Sequence, residues 1–174
     1  GLIGGNSGDV TRCYGAGTVV GRDNMGGLVG INCGGSVVTA CFSTAEVKGT
    51  GNYVGGLAGR NYGMLSDSYS MGSVLGMRSY TGGLVGSNMS QVVACYSVGA
   101  VSGEWTFGGL IGGRGADGEA PQSFWDTQTS GQAASAGGEG KTTSEMYAAA
   151  TFLDAGWDFA GEAVAAASHE SRCY

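Results

Sequence analysis

The chain has 174 residues, enough for one domain, and carries 37 glycines, one proline and a net charge of −6. A mildly acidic chain without a basic stripe argues against a nucleic-acid-binding surface, and no apolar run reaches membrane-spanning length. The chain starts at Gly1 without a visible signal peptide, and we expect this end to be a processed or excised one.

Two short phrases alternate along the chain with a period of about 27 residues, which identifies a repeat protein. The first phrase occurs as GLIGGN, GGLVGIN, GGLAGRN, GGLVGSN and GGLIGGR, around the leucines Leu2, Leu28, Leu57, Leu84 and Leu110. The second phrase occurs as CYGAGTVVG, CFSTAEVKG, SYSMGSVLG and CYSVGAVSG, which start at Cys13, Cys41, Ser68 and Cys95.

The residues of the second phrase alternate between two faces, as they do along a β-strand. One face carries Glu46 and Lys48, which belong in water. We therefore predict that the other face, which has the smaller side chains, points inward. The inward set is Cys13, Gly15, Gly17, Val19, Cys41, Ser43, Ala45, Val47, Ser68, Ser70, Gly72, Val74, Cys95, Ser97, Gly99 and Val101. The other face holds one aromatic row, unless a bend turns it into the core, consisting of Tyr14, Phe42, Tyr69 and Tyr96.

A single repeat cannot bury its own apolar face, but stacked copies share a continuous core and pair their backbones at about 4.8 Å. The sequence therefore predicts an all-β fold, a parallel β-solenoid (β-helix) of four to five coils over residues 1–120. The residues predicted to be buried in register are Leu28, Leu57, Leu84, Val47, Val74 and Val101.

Glycines recur after both phrases, where they fit corners that need positive φ or tight backbone contact. They are Gly4, Gly30, Gly59, Gly86 and Gly112 after the leucine, and Gly21, Gly49, Gly76 and Gly103 after the valine phrase. We interpret them as the residues that turn the coil.

One asparagine follows the leucine phrase in each of four copies, at Asn6, Asn32, Asn61 and Asn88. Stacked amides can hydrogen-bond to the copies above and below, so this row predicts a structural ladder rather than a ligand site. The fifth copy has Arg114 at this place, and its second phrase becomes SFWDTQTSG, which indicates that the repeat ends there.

The pattern GGLVGxN followed by CYSxGxV closely resembles the GLUG repeat, and SFWDTQTSGQ, GGEGKTTSEM and ATFLDAGWDF resemble the segment that often closes GLUG arrays. The resemblance covers residues 1 to about 160, whereas residues 161–174 depart from it. It implies an exported structural or adhesive module of a bacterial protein, such as an adhesin of the filamentous-haemagglutinin kind or a region beside an immunoglobulin-A-cleaving metallopeptidase. It implies no catalytic residue and no cofactor.

Residues 121–160 are predicted to cap the last coil. The stretch GGEGKTT lacks the first glycine of a phosphate-binding loop, because Ser135 stands in its place. Thr142 and Glu145 have capping-box spacing, which predicts a short helix that begins near Thr143 and runs toward Phe152. The side chains expected to protect the open end of the stack are Trp125, Met146, Phe152, Trp157 and Phe159.

Few residues suit catalysis or metal binding. GGRGADGEA resembles a single calcium-binding nonapeptide, which makes Asp117 a candidate calcium ligand, although a plain loop also explains it. The only histidine, His169, lies outside the repeats. Asp126, Asp154 and Asp158 could supply an acidic pair for glycoside cleavage, but capping loops explain them more simply, and we expect no enzyme activity.

One repeat position holds small residues that serve as core filler, namely Cys13, Cys41, Ser68 and Cys95. Adjacent coils would bring Cys13 and Cys41 within disulfide reach, whereas Cys95 lies two coils beyond Cys41. A disulfide between Cys33 and Cys173 is conceivable in an exported protein.

These features predict a non-catalytic structural or adhesive module, located outside the cell or at the bacterial surface. An exposed aromatic row would contact a glycan or protein receptor, and cross-coil stacking is its alternative role. The uncapped first coil predicts self-association, end to end into a filament. Ice binding is an alternative function, although the row Ala16, Thr44, Met71 and Val98 lacks regular threonines. A polysaccharide-active enzyme is a further alternative.

Overall fold

The structure is a computed structural model that describes residues 1–159. Its first coil contains β1 (Ile3–Asn6), β2 (Asp9–Thr11), β3 (Tyr14–Gly15), β4 (Thr18–Gly21) and β5 (Met25–Gly26). The second coil contains β6 (Val29–Asn32), β7 (Val37–Thr39), β8 (Phe42–Ser43), β9 (Glu46–Gly49) and β10 (Val54–Gly55). The third coil contains β11 (Ala58–Asn61), β12 (Met64–Ser66), β13 (Tyr69–Ser70), β14 (Val74–Gly76) and β15 (Thr81–Gly82).

The fourth coil contains β16 (Val85–Asn88), β17 (Val92–Val93), β18 (Tyr96–Ser97), β19 (Val101–Gly103) and β20 (Phe107–Gly108). The chain then forms β21 (Ile111–Arg114), β22 (Phe124–Asp126), α1 (Thr127–Ser130), β23 (Glu139–Lys141), α2 (Thr143–Met146) and α3 (Ala149–Leu153). Among the described residues, no helix has the length and apolar character needed to cross a membrane.

Strands at the same place in successive coils pair in parallel and form five sheets along the stack. We number the sheets 1 to 5 by the order of their strands within a coil. Sheet 1 consists of β1, β6, β11, β16 and β21, and sheet 3 of β3, β8, β13, β18, β22 and β23. The predicted parallel β-solenoid is confirmed, and sheet 3 continues beyond the repeats into the C-terminal segment.

The interior consists of two apolar clusters, a large one that contains the buried leucines and a smaller one that contains Val47 and Val74. Parallel register places Val47 beside Val74 and Val74 beside Val101, and all three are buried. The leucines of four successive copies are fully buried, at Leu28, Leu57, Leu84 and Leu110. The predicted core positions are therefore confirmed, because stacking removes from water a face that one repeat cannot cover.

The interior is thinnest where sheet 3 faces the glycine that precedes each leucine. A Cβ atom on Gly27 would lie 2.0 Å from the Ser43 hydroxyl oxygen, and one on Gly83 would lie 2.8 Å from that of Ser97. The Ser97 hydroxyl also donates to the Gly109 carbonyl at 2.7 Å. The two walls approach so closely that only glycine leaves room for the opposite side chain.

Two corners of the coil are made by residues other than glycine. The corner before sheet 3 has φ between 49° and 54°, at Arg12, Ala40, Asp67, Ala94 and Gln122. The corner before sheet 5 has φ between 54° and 70°, at Asn24, Tyr53 and Tyr80. The interpretation that the glycines turn the coil is therefore wrong.

Except for Gly4, the glycines that follow the two phrases allow close contact instead. A Cβ atom on Gly59 would lie 2.6 Å from the backbone carbon of Asn24, and one on Gly49 would lie 2.3 Å from a methyl group of Val54. Of the two reasons that the sequence offered for glycine, tight contact holds at these positions and positive φ does not.

The C-terminal end of the stack is closed by Trp125. Its ring takes the inward position that Ser97 holds one coil earlier, and it is only 6% exposed. A Cβ atom on Gly109 would lie 2.0 Å from this ring, and the indole N–H donates to the Gln132 carbonyl at 2.9 Å. One large ring therefore fills the space that small residues occupy in the other coils.

The predicted helix after Thr142 is present but broken into two. The Thr142–Glu145 capping box starts α2, and α2 ends at Met146 with Tyr147 as its C-cap. Ala148 is extended, and α3 then begins without a side-chain cap. The break turns the chain so that Phe152, at the end of α3, packs on Phe124 of sheet 3. Residues 160–174, with His169 and Cys173, lie outside the described residues.

Replacing Leu57 by alanine tests the shared core. Leu57 is fully buried between two other coils, so we expect the variant to lose about 2–5 kcal/mol of unfolding free energy in urea. The matched control is Leu75→Ala, on the outer surface of β14, which should change stability by only about 0.5 kcal/mol. Equal losses in both variants would contradict this arrangement of the core.

Candidate functional site

An aromatic row runs along the outer face of sheet 3. Adjacent ring centroids lie 5.3, 5.1 and 4.9 Å apart, with interplanar angles of 10°, 6° and 6°, from Tyr14 through Phe42 and Tyr69 to Tyr96. Parallel register produces this row because it places the same repeat position of each coil directly above the last. The rings stack along the solenoid axis and do not turn into the core.

Stacking determines which part of each ring a ligand could reach. Phe42 has Tyr14 on one face and Tyr69 on the other, so this part of the row presents ring edges to solvent. Tyr14 is 63% exposed and has a row neighbour on one face only. A ligand that needs an aromatic face, such as a sugar ring, therefore has access at Tyr14 rather than along the whole row.

The C-terminal segment covers the other end of the row. Phe152 and Trp157 lie 6.0 and 6.2 Å from the Tyr96 ring and 5.5 and 6.4 Å from that of Phe124. Burial, and then the neighbouring Tyr69, raise the pKa of Tyr96 to about 12. Its hydroxyl therefore stays protonated at neutral pH, and Tyr96 is less accessible than Tyr14.

The asparagines at the end of the sheet 1 strands form a buried hydrogen-bonded ladder. Each side-chain amide donates to the oxygen of the next, at 2.9, 2.8 and 2.9 Å, along Asn6, Asn32, Asn61 and Asn88. Asn32 also donates to the Met64 carbonyl, and Asn88 ends the ladder on the Glu119 carbonyl. These amides hydrogen-bond within the protein, which gives the row a structural role.

The cysteine–serine row forms a second ladder at the corner before sheet 3. The Cys41 N–H donates to the Ser68 hydroxyl at 3.0 Å, and the Cys95 N–H donates to that of Ser123 at 3.1 Å. Serine and cysteine can both occupy this position, because the Ser68 and Cys41 side chains each accept one hydrogen bond and donate another there. Burial raises the pKa of the Cys41 and Cys95 thiols. The free thiols of the described residues are Cys13, Cys33, Cys41 and Cys95.

Asp126 is a buried N-cap rather than an exposed acid. One oxygen of its carboxylate accepts hydrogen bonds from the N–H groups of Gln128 and Thr129 and from the Thr143 hydroxyl, at 2.9, 3.1 and 2.9 Å. Burial opposes ionisation, but these hydrogen bonds outweigh it and lower the pKa of Asp126. The carboxylate thus ties the start of α1 to the start of α2.

The other acidic candidates lie on the surface. Asp154 follows α3, and both Asp154 and Asp158 are exposed. Asp117 stands in an exposed turn between β21 and β22. Within residues 1–159, no group of three or more His, Cys, Asp or Glu side chains is placed to hold a metal ion.

A second outer cluster, which we call the tyrosine–arginine patch, consists of Tyr53, Arg60, Tyr62 and Tyr80. The Tyr53 and Tyr80 rings stack at 5.3 Å, and the Arg60 guanidinium carbon lies 4.3 and 4.9 Å from the ring centroids of Tyr53 and Tyr62. The repeat pattern does not predict this patch, because Arg60 and Tyr62 occur in one copy only. The pair Asn-Tyr at 52–53 and 61–62 is the signal that the sequence does carry.

No model of a known protein family matches this chain, and no curated protein sequence matches it. Among solved structures, the fold is similar to the crystal structure of a "putative immunoglobulin A1 protease" from Bacteroides ovatus, with a TM-score of 0.68 and 21% sequence identity. The match covers 79% of this chain and 50% of that protein. At this identity the similarity shows the β-solenoid fold alone, and it concerns half of that protein.

The Asp126 cap should make stability depend on pH. A folded-state pKa below the reference value of 3.8 means that ionised Asp126 stabilises the fold above this pH. That contribution is lost as pH falls through the folded-state value. We expect Asp126→Asn to lower the free energy of unfolding by about 1 kcal/mol at pH 7, and its difference from the unchanged protein to shrink as pH falls below 3.8.

Thermal melts from pH 2 to pH 7 measure this difference. Asp154→Asn is the control, because the exposed Asp154 carboxylate should leave the pH profile unchanged. A destabilisation by Asp126→Asn that is the same at every pH would contradict the assigned role of the carboxylate.

Proposed function

We propose that this chain is a non-catalytic β-solenoid module with a structural and adhesive role, within a secreted or cell-surface bacterial protein of the GLUG-repeat type. The observation that carries the proposal is the in-register outer surface, on which one repeat position becomes a row of rings along the axis. The similarity to half of a longer Bacteroides ovatus protein supports a module that accompanies other regions in one chain.

We assign the receptor contact to the N-terminal part of the aromatic row. Tyr14 offers an aromatic face, and Phe42 and Tyr69 continue the surface as ring edges. Rigid rings lose little conformational entropy on binding, because stacking already fixes their orientation. A glycan or a glycosylated protein is the receptor class that suits such a surface.

Neither alternative function gains a specific contact from the described residues. On sheet 2, the row Thr11, Thr39, Ser66 and Val93 loses its threonines after two coils. The Thr39 hydroxyl also accepts a hydrogen bond from Ser66 at 2.9 Å. The buried Asp126 carboxylate serves as a helix cap. We therefore place an adhesive role before ice binding and glycoside cleavage.

A glycan and glycoprotein array tests the proposed contact. We expect the chain to bind one receptor class, and Tyr14→Ser and Tyr69→Ser to weaken this binding about tenfold, which corresponds to about 1.4 kcal/mol. Tyr147→Ser is the control, because Tyr147 is 88% exposed and lies outside the row. Unchanged binding by stably folded Tyr14→Ser and Tyr69→Ser variants would remove the row from the proposal.

Self-association through the first coil is the second part of the proposal. Each sheet of the described chain begins with a strand that has a partner on one side only. At the other end, Gln132 donates to the Val101 carbonyl, and the Ala136 N–H donates to that of Ile111. A head-to-tail filament would have to add a strand at this end, which the C-terminal segment already covers. We therefore propose contact between two first coils, which gives a closed dimer, in place of the end-to-end filament expected from the sequence.

Sedimentation velocity at rising concentration tests this association. We expect a dimer, and we expect the double variant Leu2→Lys, Val20→Lys to shift the chain to monomer, because both side chains are 68% exposed in the first coil. Leu153→Lys in the C-terminal segment is the control and should leave the dimer intact. A monomer at all concentrations, or filaments that continue to grow, would contradict the proposed contact.

A further inference from the structure

The tyrosine–arginine patch lies on the outer side of sheet 1 and at the corner before sheet 5, so it is separate from the aromatic row on sheet 3. In sheet 1, Arg60 is flanked by Ile31 and Ser87 in parallel register, and Ser87 is followed by Gly113. A Cβ atom on Gly113 would lie 2.3 Å from the Tyr80 ring. The small residue in this row therefore lets that ring lie directly on the sheet.

Aromatic rings, rather than an acid, hold the Arg60 guanidinium group. Its central carbon lies 4.3 Å from the Tyr53 ring centroid and 4.9 Å from that of Tyr62. None of the salt bridges within residues 1–159 includes Arg60. Its Nε atom is buried and has no hydrogen-bond partner among the described residues. The positive charge is thus positioned but not neutralised.

We propose that the tyrosine–arginine patch binds the carboxylate of an acidic sugar residue. The planar guanidinium group offers paired N–H donors that match a carboxylate, and because Nε is buried the pair in question is that of the two Nη atoms. Tyr62 and Tyr80 are 38% and 36% exposed, and they supply aromatic area beside the charge for the sugar ring. Phenol hydroxyls can hydrogen-bond to sugar hydroxyls.

Charge complementarity favours this ligand class over a neutral one. The chain carries a net charge of −6, so its overall field repels anions and an anionic ligand needs a local cation. Arg60 provides that cation, and the surrounding rings limit the side-chain entropy lost when it binds. A neutral sugar would leave the guanidinium group without a partner.

Saturation-transfer NMR and calorimetry on the full chain test the inference with three small probes. They are methyl glucuronide, its methyl ester and methyl glucoside, which share a sugar ring and differ in charge. We expect the acid to bind and the ester and glucoside to bind at least tenfold more weakly. Saturation transfer should be strongest at the ring protons, because they contact the tyrosines.

Variants then locate the binding site. Arg60→Gln should weaken binding of the acid at least tenfold, and Arg60→Lys should restore only part of it, because lysine lacks the planar pair of donors. Tyr62→Leu should weaken binding with the charge retained. Arg78→Gln is the matched control, an exposed arginine outside the patch, and it should bind the acid as the unchanged chain does.

Several results would overturn the inference. They are equal binding of acid and ester, full affinity in folded Arg60→Gln, or no binding of the acid by the unchanged chain. If Arg60→Gln fails to fold, the comparison of acid with ester and the Tyr62→Leu variant still test the inference. Array binding that depends on Tyr14, without binding of the acid, would remove this inference and leave the proposed adhesive function standing.

Discussion

The close approach of the two walls of each coil is the constraint on which the rest of the structure depends. Ser43 and its equivalents face glycines so closely that a Cβ atom has no room, so the inward residues of sheet 3 stay small where coils follow one another. The larger leucines and valines fill the rest of the interior on either side, in two apolar clusters. Trp125 breaks this rule at the C-terminal end, where the interior closes over it.

Register turns each repeated residue into a row, and different rows stabilise the stack by different interactions. The asparagines hydrogen-bond through their side chains, the cysteine–serine position bonds through backbone and side chain, and the aromatic residues stack. Stacking also buries the ring faces that a ligand would contact. Regular rows are therefore well suited to building the scaffold, whereas a residue present in one copy, such as Arg60, is free to specify a ligand.

The two ends of the described stack differ in how their backbone groups are satisfied. At the C-terminal end, the segment after β21 returns hydrogen bonds to the last coil, and Asp126 secures the turn that follows β22. In the first coil, one side of each strand has no partner within the described residues. The same backbone pairing that builds the solenoid thus leaves one end able to accept a further strand.

The sequence by itself determined the repeat, the parallel stacking and the buried leucines and valines, because a fixed period and strand alternation are local patterns that any stack must satisfy. It also placed the capping box at Thr142. It did not determine why the glycines recur or which residues form the corners, because these depend on distances between coils. Nor did it bring Arg60 to Tyr53, since that contact joins different parts of the repeat. Only the tertiary structure decided these features, because a recurring glycine fits close contact and positive φ equally well, and the distances between coils that separate the two are absent from the sequence.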